Sequence, residues 1–67
     1  MIKIILNGEE KKLPKGQSVA DLIASLELDV KKIAVEKNLE ILAPQDFASV
    51  ILEDGARVEI VHFIGGG

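Results

Sequence analysis

The chain has 67 residues, no cysteine, a formal net charge of −3 and an apolar fraction of 48%. That is room for one domain burying about 60% of the surface its unfolded form exposes, with little left over for an enzyme-sized cleft. The acidic balance argues against binding a phosphate backbone, the two aromatics, Phe47 and Phe63, are too few for a base-stacking platform, and the lack of a Cys framework or Cys/His cluster points away from a secreted disulfide or zinc scaffold and towards the cytoplasm.

Ile2, Ile4 and Leu6 alternate with Lys3 and Ile5, the period of a strand buried mainly on one face. The apolar opening stops at Asn7-Gly8, too short for a signal-peptide core or a membrane span. Asn7-Gly8 also supplies two residues that tolerate positive φ, as a type I′ hairpin turn requires. The return strand, residues 9–13, carries Glu9, Glu10, Lys11 and Lys12, a charge density suited to an edge strand guarded against sheet-to-sheet association. Pro14-Lys15-Gly16 ends it, and Ser18 with Asp21 makes an S-x-x-D helix start. Val19, Leu22, Ile23 and Leu26 follow at i, i+3, i+4, i+7, one apolar helix face. Ile33-Ala34-Val35 predicts a short strand, Lys37-Asn38 a turn, residues 39–42 another brief strand, and Pro44-Gln45-Asp46-Phe47 a helical turn opened by proline. Asp54-Gly55 turns the chain into a last strand over residues 57–63.

A lone helix after a hairpin must cross and cover one face of the sheet. The order fits an α+β, ubiquitin-like β-grasp: a mixed sheet of four to five strands with one main helix packed on one face. The domain spans residues 1–64, followed by a flexible glycine tail at residues 65–67. In that fold the last strand lies parallel to the first, mid-sheet, so the chain end leaves from a rigid element.

Catalytic equipment is sparse. Ser18 and Ser25 have no histidine nearby in sequence, and the one histidine, His62, shares the parity of Val58 and Ile60. It is expected at the core-side end of the last strand as a satisfied structural residue. No metal or cofactor set is legible, and the carboxylates show no paired spacing for acid–base work. What stands out is Gly65-Gly66-Gly67. Glycines are costly to order and add nothing to a fold, but three extended ones make a thin finger of about 10 Å. Without Cβ atoms such a finger enters a narrow channel, and its terminal carboxylate is open to attack. A frayed end or a linker remnant is the alternative.

The ending Val58-Glu59-Ile60-Val61-His62-Phe63-Ile64-Gly65-Gly66-Gly67, with Ala34-Val35-Glu36-Lys37-Asn38, Glu53-Asp54-Gly55 and the opening Ile2 to Gly8, resembles the ThiS family of sulfur carriers of thiamine (thiazole) biosynthesis across essentially the whole chain. A terminal Gly-Gly alone is shared with ubiquitin-like modifiers and with the molybdopterin synthase small subunit. Two departures are Ala56, where members often have Asp, and the lack of Trp or Tyr near Phe47; both bear on packing only. The resemblance implies a carrier that is not itself an enzyme. An E1-like adenylyltransferase (ThiF) would use ATP to turn the Gly67 carboxylate into an acyl adenylate, with Gly65 and Gly66 threading into the partner. Sulfur from a cysteine desulfurase would convert it to a thiocarboxylate for thiazole synthase (ThiG). A carrier of another pathway, a protein modifier and a plain interaction module stay open as alternatives. Strand parity adds a docking surface: Val61 and Phe63 share the face opposite Val58 and Ile60, and Ile5 on the first strand has the same outward parity.

Overall fold

The computed structural model describes residues 1–63. Strand β1 (Ile2–Leu6) and strand β2 (Glu9–Leu13) pair antiparallel, from Leu6↔Glu9 to Ile2↔Leu13. The turn sets that register, because Asn7 and Gly8 take φ of 50° and 84°, the left-handed pair a two-residue hairpin needs.

Helix α1 (Val19–Ser25) starts at a reciprocal cap. The Asp21 N–H donates to Ser18 Oγ at 3.1 Å and the Ser18 N–H donates to the Asp21 carboxylate at 2.9 Å, so two backbone donors without helical partners are satisfied. Val19, Leu22 and Ile23 are buried by the sheet, and Leu26, the C-cap, is half-buried. The helix start is also tied to the loop after residue 46, through Val19 N–H to Val50 O and Ala20 N–H to Phe47 O, both 2.9 Å, and Leu52 N–H to Gln17 O at 2.8 Å.

Strand β3 (Ile33–Lys37) and strand β4 (Glu40–Leu42) form the second hairpin. Its central residues are Asn38 and Leu39, with φ of 51° and 72°. Lys37 therefore closes β3 rather than opening the turn, and Leu39 belongs to the turn rather than to β4. The pairing Lys37↔Glu40 leaves only two residues for the loop, and both must be left-handed. Pro44–Asp46 forms the expected helical turn.

Strand β5 (Arg57–His62) is parallel to β1 and antiparallel to β3, giving the order β2-β1-β5-β3-β4. This is the mixed five-stranded sheet with one main helix, the β-grasp arrangement, with charged β2 at an edge. The core joins Ile2, Ile4, Leu13, Ile33, Val35, Val58 and Ile60 from the strands to the helix stripe, closed by Phe47, Leu52 and Ala56. Ala56 is 2% exposed, so that departure from the family pattern falls at a packing position.

The cap gives a direct test. Ser18→Ala should lower unfolding stability by about 1 kcal/mol and Ser18→Gly by only a few tenths, read from urea denaturation. Equal stability of all three proteins would show that the cap contributes nothing.

Candidate functional site

The last strand is held from both sides along its first half. On the β1 side, Ile5 N–H donates to Ala56 O and Asn7 N–H to Val58 O, both at 2.9 Å. On the β3 side, Asn38 N–H donates to Arg57 O at 2.8 Å, and the Asn38 carboxamide accepts from Arg57 N–H at 2.9 Å. The approach to β5 is fixed as well. Gly55 N–H donates to Lys3 O at 2.7 Å, Lys3 N–H donates to Asp54 Oδ1 at 2.8 Å, and Lys37 Nζ meets Glu53 Oε1 at 2.6 Å. The Lys37 side chain of that pair is largely covered while Glu53 is exposed. The far end of β5 is tied to the segment before β3 by Phe63 N–H to Lys32 O at 2.9 Å. Thus the segments Ala34–Asn38 and Glu53–Gly55, distinctive in the sequence, anchor the strand that leads to the glycines. Gly65, Gly66 and Gly67 themselves lie outside the described residues.

Val61 and Phe63 are 55% and 62% exposed, on the face opposite buried Val58 and Ile60. Ile5 is half-buried and level with Arg57, its ladder partner. It stands four residues short of Val61, or about 13 Å along the strand. The neighbour that Val61 does meet across the ladder is Ala34, and Glu36, next on that face of β3, lies between Glu59 and exposed Ile41. The open apolar residues near the end of β5 thus have Ala34 beside them, the carboxylates of Glu36 and Glu59 stand between them and Ile41 on β4, and Ile5 is apart. Ile41 pairs with Glu36, one residue beyond the Ile33-Ala34-Val35 strand expected from the sequence, and it lies on the exposed face.

His62 departs from expectation. Its parity does follow Val58 and Ile60, and it pairs with Ile33, but it is exposed. The covered part of the strand ends at Ile60, already 9% exposed, so position 62 has run past the core. The serine hydroxyls serve the helix: Ser18 Oγ caps it, and Ser25 Oγ donates to Leu22 O at 2.8 Å. Among the described residues no group of three or more His, Asp or Glu side chains is placed to hold a metal. An apolar hollow lined by Met1, Ile2, Ile51 and Leu52 sits beside the start of β1, at the opposite end of the sheet from Phe63. No helix is long and apolar enough to cross a membrane among the described residues.

Residues 4–67 match the ThiS family. The chain is 43% identical over 63 residues to the sulfur carrier protein ThiS of Bacillus subtilis, covering 92% of this chain and 96% of that protein. It is 44% identical over 66 residues to a thiazole synthase of Paramagnetospirillum magneticum, covering 98% of this chain but 20% of the relative. The chain thus spans only a fifth of the length of such thiazole synthases. The crystal structure of the thiamine biosynthesis protein (ThiS) from Geobacter metallireducens superposes with a TM-score of 0.86 at 28% identity, covering 98% of this chain and all of that one. With the sheet order, the helix and the match running through the glycines in agreement, the chain belongs to the ThiS family.

Proposed function

We propose that the protein is a sulfur carrier for thiazole formation in thiamine biosynthesis, working through the carboxylate of Gly67. The single observation that carries this reading is the ThiS match, which runs to residue 67 and so includes all three glycines. Residues 1–64 are the body and residues 65–67 the reacting tail, in the cytoplasm. The protein is the carried substrate and its partners do the catalysis.

The chemistry starts from a carboxylate that is a poor electrophile. An E1-like adenylyltransferase (ThiF) joins a Gly67 carboxylate oxygen to the α-phosphorus of ATP, and pyrophosphate leaves. The acyl carbon now carries a good leaving group. A persulfide sulfur supplied by a cysteine desulfurase attacks it, and AMP departs. A thiol then cleaves the S–S bond of the resulting acyl disulfide, leaving the thiocarboxylate on Gly67 and a disulfide on the sulfur-donor side. Thiazole synthase (ThiG) is the acceptor. That thiazole synthases carry a stretch similar to this chain supports a carrier and a synthase that work on the same sulfur. A thiocarboxylate on Gly67 needs no cysteine in the carrier, and residues 1–67 contain none.

Glycine suits the tail because each residue lacks a Cβ and tolerates the conformations a narrow channel imposes. Partner docking falls to the open face, where Val61 and Phe63 flank the exit and Ile5 lies further back. A contiguous exposed apolar patch beside the reactive end is where a partner gains affinity by burial.

Intact mass of the protein purified from cells tests the reading: a species with one oxygen exchanged for sulfur is expected, and ladders of lysine conjugates would point instead to a modifier. Removing Gly66 and Gly67 should leave the melting temperature unchanged, since neither residue has a side chain to bury, and should abolish adenylation. Gly66→Val should fold normally but lose adenylation or sulfur transfer by orders of magnitude, since a β-branched side chain both widens and stiffens the finger. Normal turnover of either protein would sink the tail mechanism. Val61→Asp or Phe63→Asp should weaken binding to the adenylyltransferase by about 1–3 kcal/mol while changing stability by less than about 1 kcal/mol, as titration and thermal melts would show.

A further inference from the structure

β1 stops too soon for the strand beside it. It is in register with β5 at Ile5↔Arg57 and Leu6↔Val58, then turns away at Asn7-Gly8, while β5 runs on to His62. The bonds from Asn38 N–H to Arg57 O and from Phe63 N–H to Lys32 O show that the odd-numbered residues of β5 direct their main-chain groups towards β3. Groups alternate along a strand, so Val58 and Ile60 point the other way. Val58 O meets Asn7 N–H at 2.9 Å. At Ile60 no residue of β1 remains.

A side chain takes the missing place. Ile60 N–H donates to Asn7 Oδ1 at 2.8 Å, and Asn7 Nδ2 donates to Ile60 O at 3.4 Å, across 53 positions of sequence. A carboxamide has the donor and the acceptor of a peptide group, so Asn7 pairs with Ile60 much as another residue of β1 would. Turn chemistry alone would accept Gly or Asp at position 7. Only Asn combines an easy left-handed φ, here 50°, with both a donor and an acceptor.

We infer that Asn7 is a positioning residue for the reacting chain end: its carboxamide extends the two-sided grip on β5 from Val58 to Ile60, so that the strand leading to the chain end is stiffened on its β1 side as well as by β3. This rests on the carrier reading above. Once the body is docked on a partner, the chain end is a tethered second ligand, and its effective concentration at the reacting centre depends on the stiffness of the link. Small displacements of reacting atoms are costly in rate. Releasing Ile60 therefore lowers the productive fraction of docked complexes, which is a loss in kcat. KM, set by docking through the exposed face, stays.

The test uses Asn7→Gly, which keeps the turn and removes the carboxamide, and Asn7→Asp, which keeps the acceptor for Ile60 N–H and removes the donor. Amide hydrogen exchange is measured on each protein alone, and steady-state adenylation is measured with the E1-like enzyme. For Asn7→Gly the Ile60 amide should exchange at least about tenfold faster, with Leu22 and Val35 still protected, and kcat should fall about tenfold with KM within about twofold. Asn7→Asp should lie between it and the wild type in both measurements. Unchanged exchange at Ile60 would show that the bond is not made in solution. Faster exchange with unchanged kcat would reduce Asn7 to a staple of the sheet. Loss of protection throughout the core in both variants would make it a folding residue; each of these results overturns the positioning role. Failure of the wild type itself to be adenylated would overturn the carrier reading and this role with it, even with Ile60 fully protected.

Discussion

The parallel pairing of β5 with β1 is the constraint on which the rest of this molecule depends. Parallel neighbours cannot be joined by a tight turn, and a crossover must carry the chain from one end of the sheet to the other. Here everything between Leu6 and Arg57 is that connection: β2, which brings the chain back to the start of β1, the helix that covers the sheet, the second hairpin that supplies β5's other neighbour, and the loop that closes the core with Phe47 and Leu52. Once β5 lies between β1 and β3, its inward residues Val58 and Ile60 must be buried, and its outward residues must face solvent or a partner. The last residues of the chain must also start from the middle of the sheet. Under the proposed function, a carrier that reacts through Gly67 benefits from that last consequence most.

Polar side chains refine what the ladder sets up. Asn7, Asn38 and Asp54 each use a side-chain oxygen to accept a backbone N–H, from Ile60, Arg57 and Lys3 in turn. All three stand at places where the chain turns and a regular strand partner is missing. The same short side chains that favour turns thus also tie those turns to the sheet, and they do so around the start and the middle of β5.

Charge is spent differently on the two faces and edges. β2 presents Glu9, Glu10 and Lys12 to solvent at the edge of the sheet, which discourages pairing with another sheet. On the open face Glu36 and Glu59 are direct ladder partners, a like-charge arrangement that costs a few tenths of a kcal/mol or more. The described ion pairs, Lys3 with Glu10 and Lys37 with Glu53, leave that pair unneutralised. The open face is therefore not shaped for stability, while the helix-covered face, with Ile4, Val35 and Val58 fully buried, carries it.

Much of this was legible because the governing signals are local. Alternation at Ile2, Ile4 and Leu6, the 3.6-residue stripe from Val19 to Leu26, the S-x-x-D cap and the Asn-Gly and Asp-Gly turns all act within a few residues, and the structure follows them. The glycine run and its family resemblance needed no coordinates either. The second turn differs from expectation by one residue, at Asn38-Leu39 instead of Lys37-Asn38, and the other differences are non-local. His62 keeps its parity but outruns the cover over β5, and how far that cover extends is decided by distant elements. Ile5 has the right parity yet the wrong height, because the offset between β1 and β5 is set by Ile5↔Arg57 pairing, not by either strand alone. Asn7 reaches Ile60 only because the crossover brings β5 beside β1. Residue pattern fixes which segments become strands and helix and where the Asn-Gly and Asp-Gly turns fall, since these depend on covalent geometry and local periodicity. Tertiary structure alone decided register, height along the sheet and which side chain replaces a missing strand residue, since these depend on contacts between segments far apart in the chain.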